Sequence, residues 1–524
     1  MTKKTDTFWY TDGKGKTQIN YTQLYRFLNN KGIWQVNLSD SWFKVEIINK
    51  IITEVDDTYI SQLIMKHIRE LDEDSLEKDK IEEALRKCHS AIVSKNQLKL
   101  LDTKEITFKK DTKEECNLYY TNQWLDIKAD KVDGYDFSYL DDNVWSKKKL
   151  GRNINLLDST RAELLKDCEF AQFLWNISNK DQQRYDGVCS MLGYLIHEFK
   201  DPKTVKAVVF MDEKISDHPN GRTGKGIIRT ALEKMKEVLV QDGKSFKHDQ
   251  FCFQDVKHST SILVFEDVPR KFDPEKLFSI QTDGLSVVRK GEGRFRIDKE
   301  SAPKILINTN YVLRGEGGSN EARRCIFELS EHYSVKHTPY DEFGHNLFTE
   351  WDDKQWNLFD NFMIKCIQLF LEKGIMEVKG VNIEQKKITS ITCSEFVEFI
   401  ADYRPNKMYN RNELMRLFEE MNPELKSVSW FTNYKFCKWI RSYASHKGHE
   451  YKEERGNGKR TSDTWFGYFK DVDLNEEQQK EVDKVKLALL SATTEPEAEI
   501  VGDIETRDRL QDLKDKIKKK QVAA

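Results

Sequence analysis

Val205-Lys-Ala-Val-Val-Phe-Met211, followed after a polar stretch by Pro219-Asn-Gly-Arg-Thr-Gly-Lys-Gly226, decides how this chain is read. The first run is short, apolar and β-branched, as a strand buried in a parallel sheet is. Beyond the second, Ile227, Ile228, Ala231, Leu232, Met235, Val238 and Leu239 recur at helical spacing, so a helix is expected to start at Lys225. Strand, glycine-bearing loop, lysine and helix together suit a polyphosphate. Backbone N–H groups and the helix N-terminus face the anion, and the lysine reaches its outer phosphates. The candidate nucleotide-binding residues are Asn220, Gly221, Arg222, Thr223, Gly224, Lys225, Gly226 and Ile227. The loop departs from the usual pattern, with Pro219 where Gly is usual and Gly226 where Ser or Thr is usual.

Two further apolar runs point to the same crevice. Ser261-Ile-Leu-Val-Phe265 ends in Glu266-Asp267, and Ile305-Leu-Ile307 ends in Asn308-Thr-Asn310. Ligands of a parallel sheet gather outside the carboxyl ends of its strands, so these polar ends are expected beside the loop. Glu266 and Asp267 are the candidate Mg²⁺ residues, able to hold the ion and polarise a water, and an amide at the end of the third strand can orient that water. An NTPase core follows from the three strand ends taken with the loop.

The 524 residues leave room for two to four domains, and 33% charged against 38% apolar residues fits a globular protein. A net charge of −3 excludes a general polycation, so any nucleic-acid surface must be local. The nine cysteines show no Cys-x-x-Cys and no Cys/His pairing at zinc spacing, and read as reduced and structural. With no apolar signal core and no membrane-length run, the expectation is a soluble intracellular protein without a membrane partner.

Residues 1–135 read as an α+β region of unassigned role, with helices over 58–71 and 75–95. They show no polymerase-type carboxylate pair on a strand, and Asp56-Asp57 reads as a helix start, so priming activity is not expected here. Residues 136–200 read as a helical block packed on the core, able to serve as an oligomerisation collar. The ATPase core is expected over 201–380. Within it, Leu285 to Ile297 alternates about Gly291-Glu-Gly293 and reads as a β-hairpin. Arg289, Lys290, Arg294 and Arg296, less Glu292, give it a net +3 that could track a phosphate backbone, or simply cover a solvated face. A glycine-rich loop then delivers Arg323-Arg324 onto a new strand, as candidate arginine fingers for a neighbouring subunit. Residues 345–375 read as one helix with an apolar face.

Residues 388–470 run helix, helix, helix, then two strands around Gly456-Asn-Gly458, the succession of a winged helix-turn-helix. Its basic candidates for DNA are Lys435, Lys438 and Arg441 on the third helix and Lys459 and Arg460 at the hairpin tip. Winged helices also serve as protein-contact modules. Residues 471–524 read as an acidic, partly disordered tail with a short terminal helix.

Taken together, these motifs resemble the helicase half of phage- and plasmid-type primase-helicases of helicase superfamily 3. Gly221-Arg-Thr-Gly-Lys225 resembles that family's phosphate loop and Glu266-Asp267 its acidic motif. Val288-Arg-Lys-Gly-Glu-Gly-Arg-Phe295 resembles its pore hairpin, and Lys304-Ile-Leu-Ile-Asn-Thr-Asn310 its sensor. The resemblance covers about residues 155–335. It implies an AAA+-like P-loop α/β core in a homo-oligomeric ring, a hexamer by family, in which ATP hydrolysis pulls single-stranded DNA through the channel. In that reading Lys225 binds the β/γ-phosphates, Glu266 and Asp267 handle Mg²⁺ and water, and Asn310 senses the γ-phosphate. Arg323 or Arg324 acts in trans, and Lys290 and Arg294 grip DNA. Gly226 removes a hydroxyl that usually contacts Mg²⁺, which Thr230 or a water would replace. Priming would come from a separate primase or polymerase, in the cytoplasm of a host cell if the chain is phage-encoded. The alternative, which Pro219 and Gly226 favour, is a replication initiator or adaptor that binds DNA through its winged helix and carries a degraded ATPase site.

Overall fold

The computed structural model describes residues 7–39, 41–72, 75–94, 96–201, 205–213, 223–269, 272–290, 293–311, 322–378, 388–389, 391–403, 407–423, 431–455 and 462–467. By internal contacts the chain divides into two units, residues 1–390 and 391–524. The first unit opens with a hairpin, β1 (Trp9–Thr11) and β2 (Thr17–Ile19), and a helix, α1 (Tyr21–Asn30). An antiparallel ladder of β3 (Ile33–Leu38), β4 (Ser41–Ile48) and β5 (Ile51–Glu54) follows. Next come α2 (Asp57–Arg69) and α3 (Ser75–Ile92), close to the two helices expected from periodicity. Asp56 caps α2, its side chain accepting from the Tyr59 N–H, as its reading as a helix start required. A meander of β6 (Cys116–Tyr119), β7 (Trp124–Ile127) and β8 (Val132–Tyr135) leads to β9 (Val144–Trp145), which pairs in parallel with β5.

The helices α4 (Arg161–Asp167), α5 (Glu169–Ile177) and α6 (Gln182–Ile196) then introduce a mixed α/β body around a five-stranded parallel sheet. Its first strand is β10 (Ala207–Asp212), buried at every position. The helix α7 (Lys225–Glu233) starts at the lysine, as its spacing predicts. It ends sooner than the run of apolar residues implied, because Val238 and Leu239 belong to β11 (Val238–Asp242) and pair with Ile262 and Leu263 of β12 (Ile262–Val268). Parallel pairing of β-branched residues outweighs a periodicity shared by helix and strand over so short a stretch. The helix α8 (Glu275–Asp283) and the antiparallel pair β13 (Leu285–Val288) and β14 (Arg294–Ile297) precede β15 (Lys304–Thr309) and β16 (Arg324–Leu329). The sheet order is β11-β12-β15-β10-β16, so β10 lies between β15 and β16.

Side chains alternate across this sheet. Val208, Phe210, Val264, Leu306 and Phe327 join one core with α5, α6, α7 and the helix Asp353–Lys373. Val209, Leu263, Phe265, Ile305 and Ile307 join another with α8 and the β13–β14 hairpin. The apolar stretch expected as one helix over 345–375 starts only at Asp353, because Asp352 caps it by accepting from the Gln355 N–H. Phe348 and Trp351 pack against that helix from the segment before it.

The second unit contains the helices Ser394–Ala401, Arg411–Met421 and Asn433–His446, with Asn410 and Thr432 as the N-caps of the latter two. Between the first two lies β17 (Lys407–Asn410), absent from the sequence reading. It completes a three-stranded antiparallel sheet with β18 (Glu450–Arg455) and β19 (Ser462–Gly467), in the order β17-β19-β18. The tail from residue 471 lies outside the described residues. No described helix is long and apolar enough to cross a membrane.

Arg152 ties the segment leading into α4 to the long helix. Its Nε donates to Asp360 Oδ2 at 2.7 Å and its second guanidinium nitrogen to Oδ1 at 2.5 Å, while the group lies 4.8 Å from the centre of the Trp356 ring. Burial pushes the Asp360 carboxyl up, opposed chiefly by the Arg152 hydrogen bonds and charge, with Tyr120 adding to the opposition. Arg152→Ala, which strands a buried carboxylate, is therefore expected to lower the unfolding free energy by about 3–5 kcal/mol. Arg152→Ala with Asp360→Leu should lose less than the single variant in urea denaturation.

Candidate functional site

Gly224 precedes α7 with φ +107°, a left-handed conformation that side chains rarely tolerate. A Cβ there would also lie 2.6 Å from the Phe173 ring, so both backbone and space require glycine. The turn sets Lys225 at the first position of the helix, 8% exposed. Its ammonium pairs with Asp212, the last residue of β10, and donates to Thr223 Oγ1 at 3.1 Å. The Thr223 hydroxyl donates to the same Asp212 carboxylate at 2.5 Å. A Cβ on Gly226 would meet nothing within 4 Å, and the Thr230 hydroxyl donates to the Gly226 carbonyl at 2.9 Å. Ile227 follows in the helix, whereas Asn220, Gly221 and Arg222 lie outside the described residues.

The structure separates Glu266 from Asp267. The pairing of β12 with β15 shifts register between Phe265 and Val268, and Asp267 within this bulge has φ +51°. Its side chain turns outward to Lys244 at 3.0 Å. Glu266 accepts from the Asn308 amide at 2.9 Å and forms an ion pair with Arg229 at 3.3 Å. Burial pushes its carboxyl up from the ordinary value, against the Asn308 hydrogen bond and the Arg229 and Lys225 charges, with Asp267 adding to the rise. The Oδ1 atoms of Asn308 and Asn310 are buried with no hydrogen-bond partner among the described residues.

Asp212, Arg229 and Asn308 were missed in the sequence. Asp212 stands one residue beyond the apolar run, where the strand-end rule could have found it. Asn308 lies in the quoted motif, where the resemblance points to Asn310 instead.

Arg323 and Arg324 stand at the opposite edge of the sheet. Arg324 begins β16 and lies in register with Ala207, the first residue of β10, and the Arg323 carbonyl accepts from the Ala207 N–H. A six-residue strand spans roughly 17 Å, so neither arginine belongs to the strand-end cluster of its own chain.

The basic hairpin forms as its alternation predicts, Val288 pairing with Arg294 and Leu285 with Ile297. Arg289, just past the turn-end pair, is engaged: it contacts Glu54 at 3.4 Å, donates to the Gln254 and Val256 carbonyls, and lies 4.9 Å from the Phe295 ring centre. Arg294 donates to Ser286 Oγ and Arg296 to the Asp283 carbonyl, both from the exposed face, and Lys290 is exposed. In the second unit Lys438 and Arg441 are exposed, while Lys435 lies over the Trp439 ring. Lys459 and Arg460 lie outside the described residues.

His258 packs between Phe43 of β4 and Phe295 of β14, with ring centres 4.7 and 5.1 Å away. Burial, with Arg289 adding to it and Asp298 opposing, lowers its imidazole to about 4. The unfolded chain therefore binds the extra proton between about pH 6.5 and 4, and stability present above that window is lost as pH falls through it. His258→Phe is expected to remove up to about 3 kcal/mol of this acid sensitivity, read as the difference in unfolding free energy between pH 7 and pH 4.5.

No protein-family model matches the chain, and no curated protein matches it. Solved structures similar to it include the A form apo structure of the NrS-1 C-terminal region, at 12% identity and a TM-score of 0.36, covering 85% of this chain and 99% of that one. Another apo structure of that region aligns at 11% identity and a TM-score of 0.37, covering 85% of this chain and 98% of that one.

Proposed function

We propose that the chain is an ATP-dependent DNA helicase of phage or mobile-element replication, working as a homo-oligomeric ring on single-stranded DNA. The observation that carries this reading is the line of chemistry along β10, β15 and β12. Lys225 sits against the end of β10, and Asn308 on β15 holds Glu266 on β12. On this reading Lys225 exchanges Asp212 for the outer phosphates, which the first turn of α7 also faces. Glu266, its carboxyl raised by burial, takes the proton of the attacking water, and Asn308 fixes its orientation. Asn310 contacts the γ-phosphate. Glu266 and the orphaned amide oxygens form a donor set suited to Mg²⁺, whereas Asp267, turned outward to Lys244, does not join it; bound Mg²⁺ would neutralise phosphate charge. Arg323 and Arg324, remote from their own strand-end cluster, would serve the site of the next subunit, which is why the reading needs a ring. Lys290, Arg294 and Arg296 would line the DNA path. The second unit, with its helix, strand, two helices and β-hairpin, is read as a winged helix that meets DNA through Lys438 and Arg441.

One pair of observations favours the initiator reading: Asp212 already neutralises Lys225, and the Thr230 hydroxyl is spent on the Gly226 carbonyl. Nucleotide binding without turnover, together with a footprint on one duplex sequence, would establish that reading instead.

Single-stranded DNA is expected to raise the ATPase rate several-fold, and Lys225→Ala to lower the rate at least 100-fold. Lys290→Ala with Arg294→Ala should reduce the ratio of DNA-stimulated to unstimulated rate; an unchanged ratio would sink the hairpin assignment. With Glu266 already raised, Asn308→Ala removes a hydrogen bond that holds it down, so the acid limb of the pH–rate profile should move to higher pH.

A further inference from the structure

The segment that follows β16 carries a side-chain cluster that the helicase reading leaves unused. His332, His337 and Glu342 are spaced five residues apart, and one ligand atom from each lies within 4.8 Å of the others. His332 Nε2 is 3.0 Å from Glu342 Oε2, and His337 Nε2 is 3.7 Å from the same oxygen. Ligand atoms around a tetrahedral Zn²⁺ with bonds of about 2.0–2.1 Å stand about 3.3 Å apart. The two separations bracket that edge.

Local structure builds the cluster. The Ser334 N–H donates to the His337 carbonyl at 2.8 Å, a turn that brings the second imidazole back beside the first. Glu342 sits on the short helix Pro339–Phe343, held by a reciprocal cap between Thr338 and Asp341. Its other oxygen, Oε1, accepts from the buried Asn176 amide at 2.8 Å, and the same amide donates to the Tyr333 hydroxyl at 3.1 Å. One carboxylate oxygen is thus fixed by an outer partner while the second faces both imidazoles, the division of labour found where an outer residue orients a metal-binding carboxylate. A hydrogen bond from His332 alone would satisfy Oε2. His337, its ring stacked on Tyr333 at 5.9 Å, brings a second imidazole to that same oxygen.

We propose that His332, His337 and Glu342 bind one divalent transition metal of the zinc class. Two imidazoles and a carboxylate suit Zn²⁺ or Co²⁺, whereas Mg²⁺ and Ca²⁺ require more oxygen ligands. Three protein ligands leave one tetrahedral position for water, and His337, 46% exposed, keeps the site open to solvent. The bound ion cross-links the segment after β16, and Asn176 ties that segment to α5. Tyr333, between the ligands and α5, stacks on Phe173 at 5.3 Å, and Phe173 is the ring that closes on Gly224. The metal therefore stiffens the wall behind Lys225. Metal binding itself does not depend on the helicase reading.

The test uses the full chain, stripped with chelator and dialysed, without nucleotide. Co²⁺ should bind at one equivalent with the visible absorption of a tetrahedral nitrogen–oxygen site and no thiolate charge-transfer band, and Zn²⁺ should displace it. Zn²⁺ should also raise the melting temperature. His337→Ala, at an exposed position, and Glu342→Gln should each weaken Zn²⁺ binding at least 10-fold, while His345→Ala, whose imidazole pairs with Glu169, should leave it unchanged. Should a variant fail to fold, the spectrum and stoichiometry of the unmodified chain still decide. Absence of one-equivalent binding, a thiolate spectrum, or affinity unaffected by His337→Ala in a folded variant would overturn the proposal.

Discussion

Parallel pairing of strands buried on both faces is the constraint from which the rest follows. A strand such as β10, with no exposed residue along its length, can carry chemistry only where it leaves the sheet. Four parallel strands, β12, β15, β10 and β16, bring their departures to the same edge, with one register shift between β12 and β15. Asp212, Glu266 and Asn308 are neighbours for that reason, although far apart in sequence. The helix start at Lys225 joins them because Gly224 turns the chain against Phe173.

The two edges of the sheet are treated differently. At the amino edge, burial would push Glu198 up, but Lys148 and Lys236 outweigh it and hold the carboxyl well below its ordinary value. Lys304, 1% exposed, donates to the Tyr194 and His197 carbonyls, while burial lowers its ammonium. Charges there are answered by opposite charges or by carbonyls, as a structural junction requires. At the carboxyl edge the amide oxygens of Asn308 and Asn310 stay buried and unanswered among the described residues. A buried polar atom without a partner costs roughly 1–3 kcal/mol, and these two amide oxygens stand beside Glu266, where a ligand could answer them.

The core strands, the start of α7, the hairpin and the helices of residues 57–92 were legible because each rests on local periodicity or a local cap. The end of α7 was not, since Val238 and Leu239 fit either period and only the β12 partner decides. Nor was β17, whose four residues take their identity from pairing with β19. Among candidate site residues, Lys225 and Glu266 could be read from motif and strand end. The separation of Glu266 from Asp267 could not, because it arises from a register shift against β15. Screening cysteines for zinc spacing likewise passed over His332 and His337, which become neighbours through a turn.

Counting charges also overstates what a surface offers. The hairpin carries four cations in sequence, yet Arg289 is held by Glu54, two carbonyls and the Phe295 face. Together with Phe43 packed on Phe295 and the Ser39 hydroxyl donating to Asp298, it fastens the hairpin along its length to the β3–β5 ladder. Ser39, Phe43 and Glu54, in a region to which the sequence assigned no role, therefore contact the hairpin directly. The alternation of Arg294 and Arg296 outward with Phe295 and Ile297 inward divides the strand accordingly, one face given to anchoring and the other to solvent.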